Sequence, residues 1–364
     1  MTKKEKTGLD SVANVIGGSM QTQCRRCVLD KSASEIFFDK NGVCNFCHQA
    51  QKSLKEIKKE RSNFVKVIRQ IRNDGKGKKY DCIIGLSGGV DSSFTLHNAI
   101  KLGLRPLAFS VDNGWQSEVA QENVMRLVEG LKIPFYRYVI DLKKFSELQG
   151  AFMKAGQINI EIPTDHVLGA VSFEMANKYG IKWILSGGNV ATESIMPKSW
   201  GYQPRDLKHI KGVYKWATGK NLRGLPTCSL LKFNYYKHIK RIKTLYLLDF
   251  LDYNRQGAIE LLEQKYGYKS YGLKHEENVF TSWFQNFYLF EKFGIDKRKA
   301  HFSSLINSGQ MTRDESLQEL QKNPIYPRLG IEEKVMEYPI RPYTDFPTNE
   351  KLFNTISWII KKLR

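Results

Sequence analysis

Long apolar runs are absent. Nowhere in the 364 residues do the roughly 18 uninterrupted apolar residues of a membrane span occur, and the opening MTKKEKTGLD holds no apolar core of a secretory signal. The expectation is a cytoplasmic protein with no membrane span. Internal repeats and low-complexity tracts are missing too. Acidic residues are scarce, 37 against 57 Lys and Arg, for a net charge of +20. Such an excess points to polyanionic ligands: nucleotides, nucleotide-linked sugars or nucleic acid. It is concentrated in two places. Residues 52–79 hold 11 Lys/Arg against 3 acids and read as a solvated helix with a basic linker, whereas residues 198–243 hold 12 against Asp206 alone. In the second run the charges alternate with glycines and with Trp200, Tyr202, Tyr214, Trp216, Tyr235 and Tyr236 instead of following one helix face, which favours ligand binding.

What is present is a chain of ordinary globular composition, 41% hydrophobic and 12% aromatic, long enough for one main domain with appendages. Residues 1–19, ending in Gly17-Gly18-Ser19, read as a disordered leader or appended segment, and 20–50 as a Cys-bearing module. Residues 51–79 form a basic helix and linker, with Leu54, Ile57, Phe64, Val65, Ile68 and Ile71 near one face. Over 80–232, apolar strands at 80–86, 106–112, 135–140 and 181–186 alternate with helical patterns at 92–102, 116–131, 141–154 and 165–179. This is an α/β pattern, a parallel sheet with helices on both faces. Residues 233–364 read as an all-helical region (237–252, 255–266, 276–293, 296–307, 312–321, 348–362) that completes a substrate pocket. Three strand ends carry polar or glycine-rich turns: Ser87-Gly88-Gly89, Asp112-Asn113-Gly114-Trp115 and Ser186-Gly187-Gly188-Asn189. Parallel sheets bind ligands beyond such ends, so these turns mark a cleft.

The first turn is the most informative. In LSGGVDSS, Gly88 and Gly89 let the backbone approach a ligand, and Ser92 and Ser93 open a helix whose free N–H groups favour an anion. Asp91 would repel a phosphate unless a divalent cation lay between them, which implies Mg²⁺. A Walker loop would carry a Lys, and this loop has none. SGGVDSS behind a strand instead resembles the PP-loop of ATP pyrophosphatases, which implies cleavage of ATP between its α- and β-phosphates. Ser87, Gly88, Gly89, Asp91, Ser92 and Ser93 would then hold the phosphates, Asp91 and Ser92 would be catalytic, and Asp112 and Gly187 would border the adenosine.

Six cysteines are few, and four fall as Cys24-x₂-Cys27 and Cys44-x₂-Cys47. That is the spacing of a Cys₄ zinc site; disulfides fit a cytoplasmic chain poorly, and an iron–sulfur cluster stays open. Cys82 reads as a small core residue. Cys228, in the basic segment, has no second cysteine or identifiable base near it.

With zinc knuckles, PP-loop and C-terminal helices placed in that order, the chain resembles the N-acetyl sugar amidotransferases of surface-polysaccharide and nonulosonic acid biosynthesis. The carriers are CRRCVLDKSASEIFFDKNGVCNFC (24–47), IGLSGGVDSS (84–93), SVDNGW (110–115), IPTDHVLGA (162–170), ILSGGNVATES (184–194) and FGIDKRKAHFSSLINSGQMTRDESL (293–317). The last is also similar to a segment of asparagine synthetase-like proteins. The resemblance implies that ATP activates the oxygen of a sugar N-acetyl group and ammonia attacks the resulting imidate, giving an acetamidino sugar, AMP and pyrophosphate. Lipopolysaccharide, O-antigen or flagellar glycan precursors are the implied products, with an acidic, nucleotide-linked sugar as substrate. Lys297, Arg298 and Arg313 are the candidates for its acidic groups, with His301 one helical turn after Arg298. Asp165 and His166 begin a helix near the cleft and are candidates for substrate binding and catalysis; Glu193 would bind Mg²⁺ or orient ammonia.

Neither Thr2 after Met1 nor Gln21 after Met20 is the N-terminal Cys of a class II glutaminase, and none of the six cysteines sits on a nucleophile elbow. Ammonia is therefore expected from a partner glutaminase paired with a cyclase-like barrel, resembling those of histidine biosynthesis. Two rival readings are a tRNA-thiolating PP-loop enzyme, which would need a second Cys pair that is absent, and a non-catalytic nucleic-acid-binding zinc protein, which leaves Asp91 unexplained.

Overall fold

The computed structural model describes residues 21–271 and 277–355, so residues 1–19 and the end of the expected 348–362 helix lie outside the described residues. The Cys-bearing module leads directly into α1 (Asn45–Glu60) and α2 (Phe64–Asp74). The helix expected within residues 51–79 thus starts earlier, inside the module, where the Cys44 side chain accepts from Cys47 N and caps it. There follow β1 (Cys82–Gly85), α3 (Val90–Lys101), β2 (Pro106–Asp112), α4 (Glu118–Leu131), β3 (Phe135–Val139), α5 (Leu142–Lys154), α6 (Ile162–Lys178) and β4 (Trp183–Ser186). Ser117 and Asp141 cap α4 and α5 by accepting from Ala120 N and Lys144 N.

After β4 come α7 (Val190–Glu193), α8 (Leu207–Thr218), α9 (Leu230–Asn234) with a π-helical turn over Tyr235–Ile239, and β5 (Lys243–Tyr246). β5 corrects two expectations. The 237–252 helix does not form, and the sheet runs past the boundary expected at residue 232. The remainder is helical: α10 (Arg255–Tyr266), α11 (Val279–Trp283) and α12 (Leu289–Phe293) joined by a π-helical turn, α13 (Arg298–Ser308), α14 (Arg313–Gln321) and α15 (Glu332–Glu337). A capping box between Thr312 and Glu315 starts α14.

All five strands are parallel, in the order β3-β2-β1-β4-β5. Successive side chains alternate between faces. Ile83, Leu107 and Ile184 pack into the larger core, with Phe145, Phe152, Val171 and Trp283, while Cys82, Ile84, Ala108 and Leu185 enter the second, with Ile71, Leu96, Leu127 and Leu262. Cys82 is fully buried there, as the sequence implied. The strand order reverses between β1 and β4, so their carboxyl ends, at Ser87 and Gly187, form the crevice where open parallel sheets bind ligands. No helix among the described residues is long and apolar enough to cross a membrane.

Candidate active site

The loop after β1 is shaped by contacts only glycine allows. Gly88 has φ +88°, and a Cβ there would come 2.4 Å from the Ala120 carbonyl oxygen. Ser92 Oγ donates to Gly89 O (3.1 Å) and accepts from Ser87 N (3.3 Å), which closes the loop over the first turn of α3. Tyr271 donates its hydroxyl to Gly88 O at 2.8 Å from the far side. Gly187 meets the same turn: a Cβ on it would lie 2.8 Å from Ser92 N. The turn after β4 therefore packs on the loop and helix start that follow β1, at the cleft marked by the glycine-rich strand ends.

Two cavities meet at this contact. The smaller, about 190 Å³, is lined by Gly89, Asp91, Ser92, Arg255, Tyr268 and Tyr271. The larger, about 730 Å³, extends between the sheet edge, α6 and the C-terminal helices. Ser87, Gly187, Glu193 and Glu277 line both. The anion-binding end of α3 thus opens on one side to a phosphate-sized lobe and on the other to a volume within the roughly 300–1,000 Å³ of small-molecule sites. The roof is fastened across the strand ends: Val279 N donates to Trp115 O (2.8 Å) and Ser117 N to Glu277 O (3.0 Å).

Asp91 faces the small lobe and accepts from the Tyr253 hydroxyl. Carboxylate oxygens suit a hard divalent cation, so the lobe fits Mg²⁺ through Asp91, with Glu193 on its rim. Glu193 and His301 reach the large cavity as expected, and His301 Nδ1 lies 3.3 Å from Thr192 O.

Five expected site residues serve elsewhere. His166 is buried, its Nε2 accepting from Cys228 N (3.1 Å), which leaves Nδ1 to donate to Pro204 O (2.8 Å). Both ring nitrogens are committed to backbone, it lines neither cavity, and burial lowers its pKa. Arg313 reaches Cys27 O (3.2 Å), Cys24 O (3.4 Å) and Gln23 Oε1 (3.2 Å), and so clamps the cysteine module. Arg298 borders the large cavity, but its guanidinium forks onto Asp296 (2.7 Å) and donates to Lys322 O (2.8 Å). Asp112 pairs with Arg137 (2.8 Å) and caps Gly114 N (3.0 Å); Ser110 and Asn113 line the cavity in its place. Ser93 is buried behind the loop and lines neither cavity. Gly88 supports the loop without lining a lobe.

A group the sequence reading passed over lies in the large cavity. Glu161 accepts from Thr281 Oγ1 (2.7 Å) and Thr164 Oγ1 (3.3 Å) and is 8% exposed; burial, with the charge of Asp165 behind it, pushes its pKa up to about 7. Asp165, one turn on, is exposed to the cavity it lines, and desolvation there raises it to about 6. Lys297, lowered to about 8 by burial, lies against Met196 Sδ (3.1 Å) and feels both carboxylates through space. Lys297 thus lines the cavity, as expected of a substrate-facing cation, and shares it with carboxylates that act on it through space.

The four cysteines converge, all buried, with their sulfurs within 4.8 Å of one another. Cys24 and Cys47 are 3.9 Å apart and Cys27 and Cys44 3.8 Å. A tetrahedron with Zn–S bonds of about 2.3 Å has edges of about 3.8 Å, so the set fits zinc. Backbone N–H groups of Cys27 (3.4 Å), Cys44 (3.2 Å) and Cys47 (3.4 Å) and the Asn307 amide (3.2 Å) donate to these sulfurs, as thiolates require. The module is also bound to α13, since Val28 N donates to Ser303 Oγ and Gln51 Nε2 to Asn307 O.

Residues 277–338 match the family of the LPS biosynthesis protein WbpG-like C-terminal domain. That span contains Thr281, Lys297, Arg298 and His301, the C-terminal wall of the large cavity. An uncharacterised protein of Methanocaldococcus jannaschii is 25% identical over 171 residues, 45% of this chain and 58% of that protein. The chain thus spans little more than half the length of this curated relative. Similar solved structures include the NH₃-dependent NAD synthetase of Campylobacter jejuni (15% identity, 38% of this chain and 58% of that one, TM-score 0.28). Others are the NMN synthetase of Francisella tularensis (15%, 55% and 97%, 0.27) and the glutamine-dependent NAD⁺ synthetase of Acinetobacter baumannii in complex with ADP (16%, 79% and 49%, 0.34). The fold stands on the order and register of its own sheet.

Proposed function

We propose that this chain, a PP-loop protein carrying a WbpG-like C-terminal domain, is an AMP-forming, ATP-dependent carbon–nitrogen ligase. In this reading it converts the N-acetyl group of a sugar to an acetamidino group with ammonia, on the way to a lipopolysaccharide or related surface glycan. The observation that carries the reading is the two-lobed cavity joined at Ser87 and Gly187, with a Lys-free phosphate loop on one side and the WbpG-like helices on the other.

The chemistry follows from an amide oxygen being a poor leaving group. That oxygen attacks the α-phosphorus of ATP, the α–β bridge breaks, and pyrophosphate departs into the small lobe. There the N-terminus of α3, the loop N–H groups and Arg255 face the developing charge. Mg²⁺ held by Asp91 would neutralise phosphate charge. The adenylylated group then sits at the junction, open to the large lobe where a nitrogen nucleophile arrives. The cysteine module holds zinc in this reading, and a separate glutaminase with a cyclase-like subunit supplies the ammonia. A thiolation chemistry has less to work with, because the sulfur of Cys228, the cysteine outside both the cluster and β1, is turned to Ser229 O (3.8 Å).

The test is mass spectrometry of the purified chain with Mg·ATP, ammonium and a panel of free and nucleotide-linked N-acetyl sugars. The expected products are AMP, pyrophosphate and a sugar about 1 Da lighter, one oxygen having been exchanged for NH. ADP with phosphate, or no AMP with any sugar, would overturn the reading.

A further inference from the structure

From the geometry of the large cavity we infer that Glu161 is the base that takes the proton from the nitrogen nucleophile, with Asp165 and Lys297 setting its readiness. The inference rests on the amidotransferase reading above. Glu161 stands at the start of α6, and its two oxygens accept from hydroxyls on two different elements, Thr164 of α6 and Thr281 of α11. A carboxylate fixed from both sides keeps its position while its remaining lone pairs face the cavity. The titratable and charged groups sharing that cavity are Asp165, Glu193, Glu277, Lys297, Arg298 and His301. Arg298 is held by Asp296, and Lys297 is the cation acting on Glu161 through space.

The step balances without another reactant. The lone pair of ammonia attacks the imidate carbon, the new C–N bond forms, and the π electrons of C=N return to the sugar nitrogen. The incoming nitrogen is then a cation carrying one proton too many, and Glu161 accepts it. The C–O bond to AMP breaks, AMP leaves with the pair, and an amidinium remains. A base with a pKa near the working pH suits this transfer. Glu161, pushed up to about 7, meets that condition, whereas an exposed carboxylate would not.

Glu161→Gln keeps the shape and removes the base. Its ATP–pyrophosphate exchange in the presence of the sugar should stay within about twofold of the unaltered chain, while amidine formation at saturating ammonium falls about 10²–10⁴-fold. The acid limb of the kcat profile, expected near pH 7, should vanish in this variant. In Asp165→Asn the limb should move to lower pH, because the carboxylate that raises Glu161 is gone; a purely structural Glu161 would not move it. Unchanged amidine formation in Glu161→Gln, or loss of exchange together with amidine formation, would overturn the inference while leaving the ligase reading standing. Absence of sugar-dependent exchange in the unaltered chain would instead overturn the ligase reading and this inference with it.

Discussion

Replacing Gly187 by Ala probes the contact on which the two lobes depend. A methyl group there would lie 2.8 Å from Ser92 N, 2.9 Å from Asp91 C and 3.0 Å from Ser92 Cα. All three atoms are backbone of the first turn of α3, so no side chain can swing aside. To restore an ordinary contact of about 3.5 Å the turn after β4 must retreat by about 0.7 Å. Overpacking of this kind costs about 1–3 kcal/mol. If the cost falls on the closed, phosphate-binding arrangement, it weakens Mg·ATP binding about 5- to 150-fold, at about 1.4 kcal/mol per factor of ten. If the free protein cannot relax, part of the cost appears instead as a lower Tm. Calorimetric titration with Mg·ATP and a thermal melt therefore have to be read together. Gly169→Ala is the control: it lies within α6, a Cβ there meets nothing within 4 Å, and helix propensity favours Ala by roughly 0.5–1 kcal/mol. Gly187→Ala with both wild-type ATP affinity and wild-type Tm would refute the argument that the turn after β4 packs on the start of α3 in the working site.

The other predictions concern the module, the misread histidine and the nitrogen source. Metal analysis should find one zinc per chain, and Cys44→Ser should lose it and raise hydrogen exchange in α13 and the start of α14 as well as in residues 21–50, because Asn307 of α13 and Arg313 of α14 bind the module; iron, or no metal in protein purified without chelators, would count against the assignment. His166→Ala should cost roughly 1–3 kcal/mol of stability through the unpaired Cys228 N–H and Pro204 C=O, with kcat within about twofold; a hundredfold kcat loss in folded protein would return His166 to the chemistry. The isolated chain should turn over with ammonium and not with glutamine, more steeply as pH rises because neutral NH₃ is the nucleophile; efficient turnover with glutamine alone would remove the need for a partner.

Much of the fold was legible because the informative residues are close in sequence. The first four strands are apolar runs ended by glycine or polar turns, and two of the helices between them, α4 and α5, start at readable caps, Ser117 and Asp141. β5 was not legible. It is four residues long, lies at the sheet edge with only Leu245 buried, and runs into the apolar Leu247-Leu248, which extends a helix-like pattern. Its conformation comes from pairing with β4, with Lys243 lying 4.8 Å over the Trp183 ring. Edge strands of this kind carry little of their own signal.

The site divides along the same line. The loop residues are contiguous, and their chemistry could be read from Gly88, Asp91 and the missing Lys. The basic residues could not, since a sequence shows that a charge exists and not what it faces. Arg298 had its partner two positions away in Asp296, and that spacing was the available warning; Arg313 binds carbonyls 286 and 289 positions earlier, which no local pattern contains. Glu161 carried a weaker signal. With Asp165 it places two carboxylates one helical turn apart, an arrangement that costs an isolated helix about 0.2–0.5 kcal/mol. The pair is offset here by Lys297, more than a hundred residues on, and by the Thr281 hydroxyl from the facing helix. The readable part was the local repulsion between two acids; what makes it chemically useful is an enclosure built from distant segments, which alone raises a carboxylate to a pKa where it can take and release a proton.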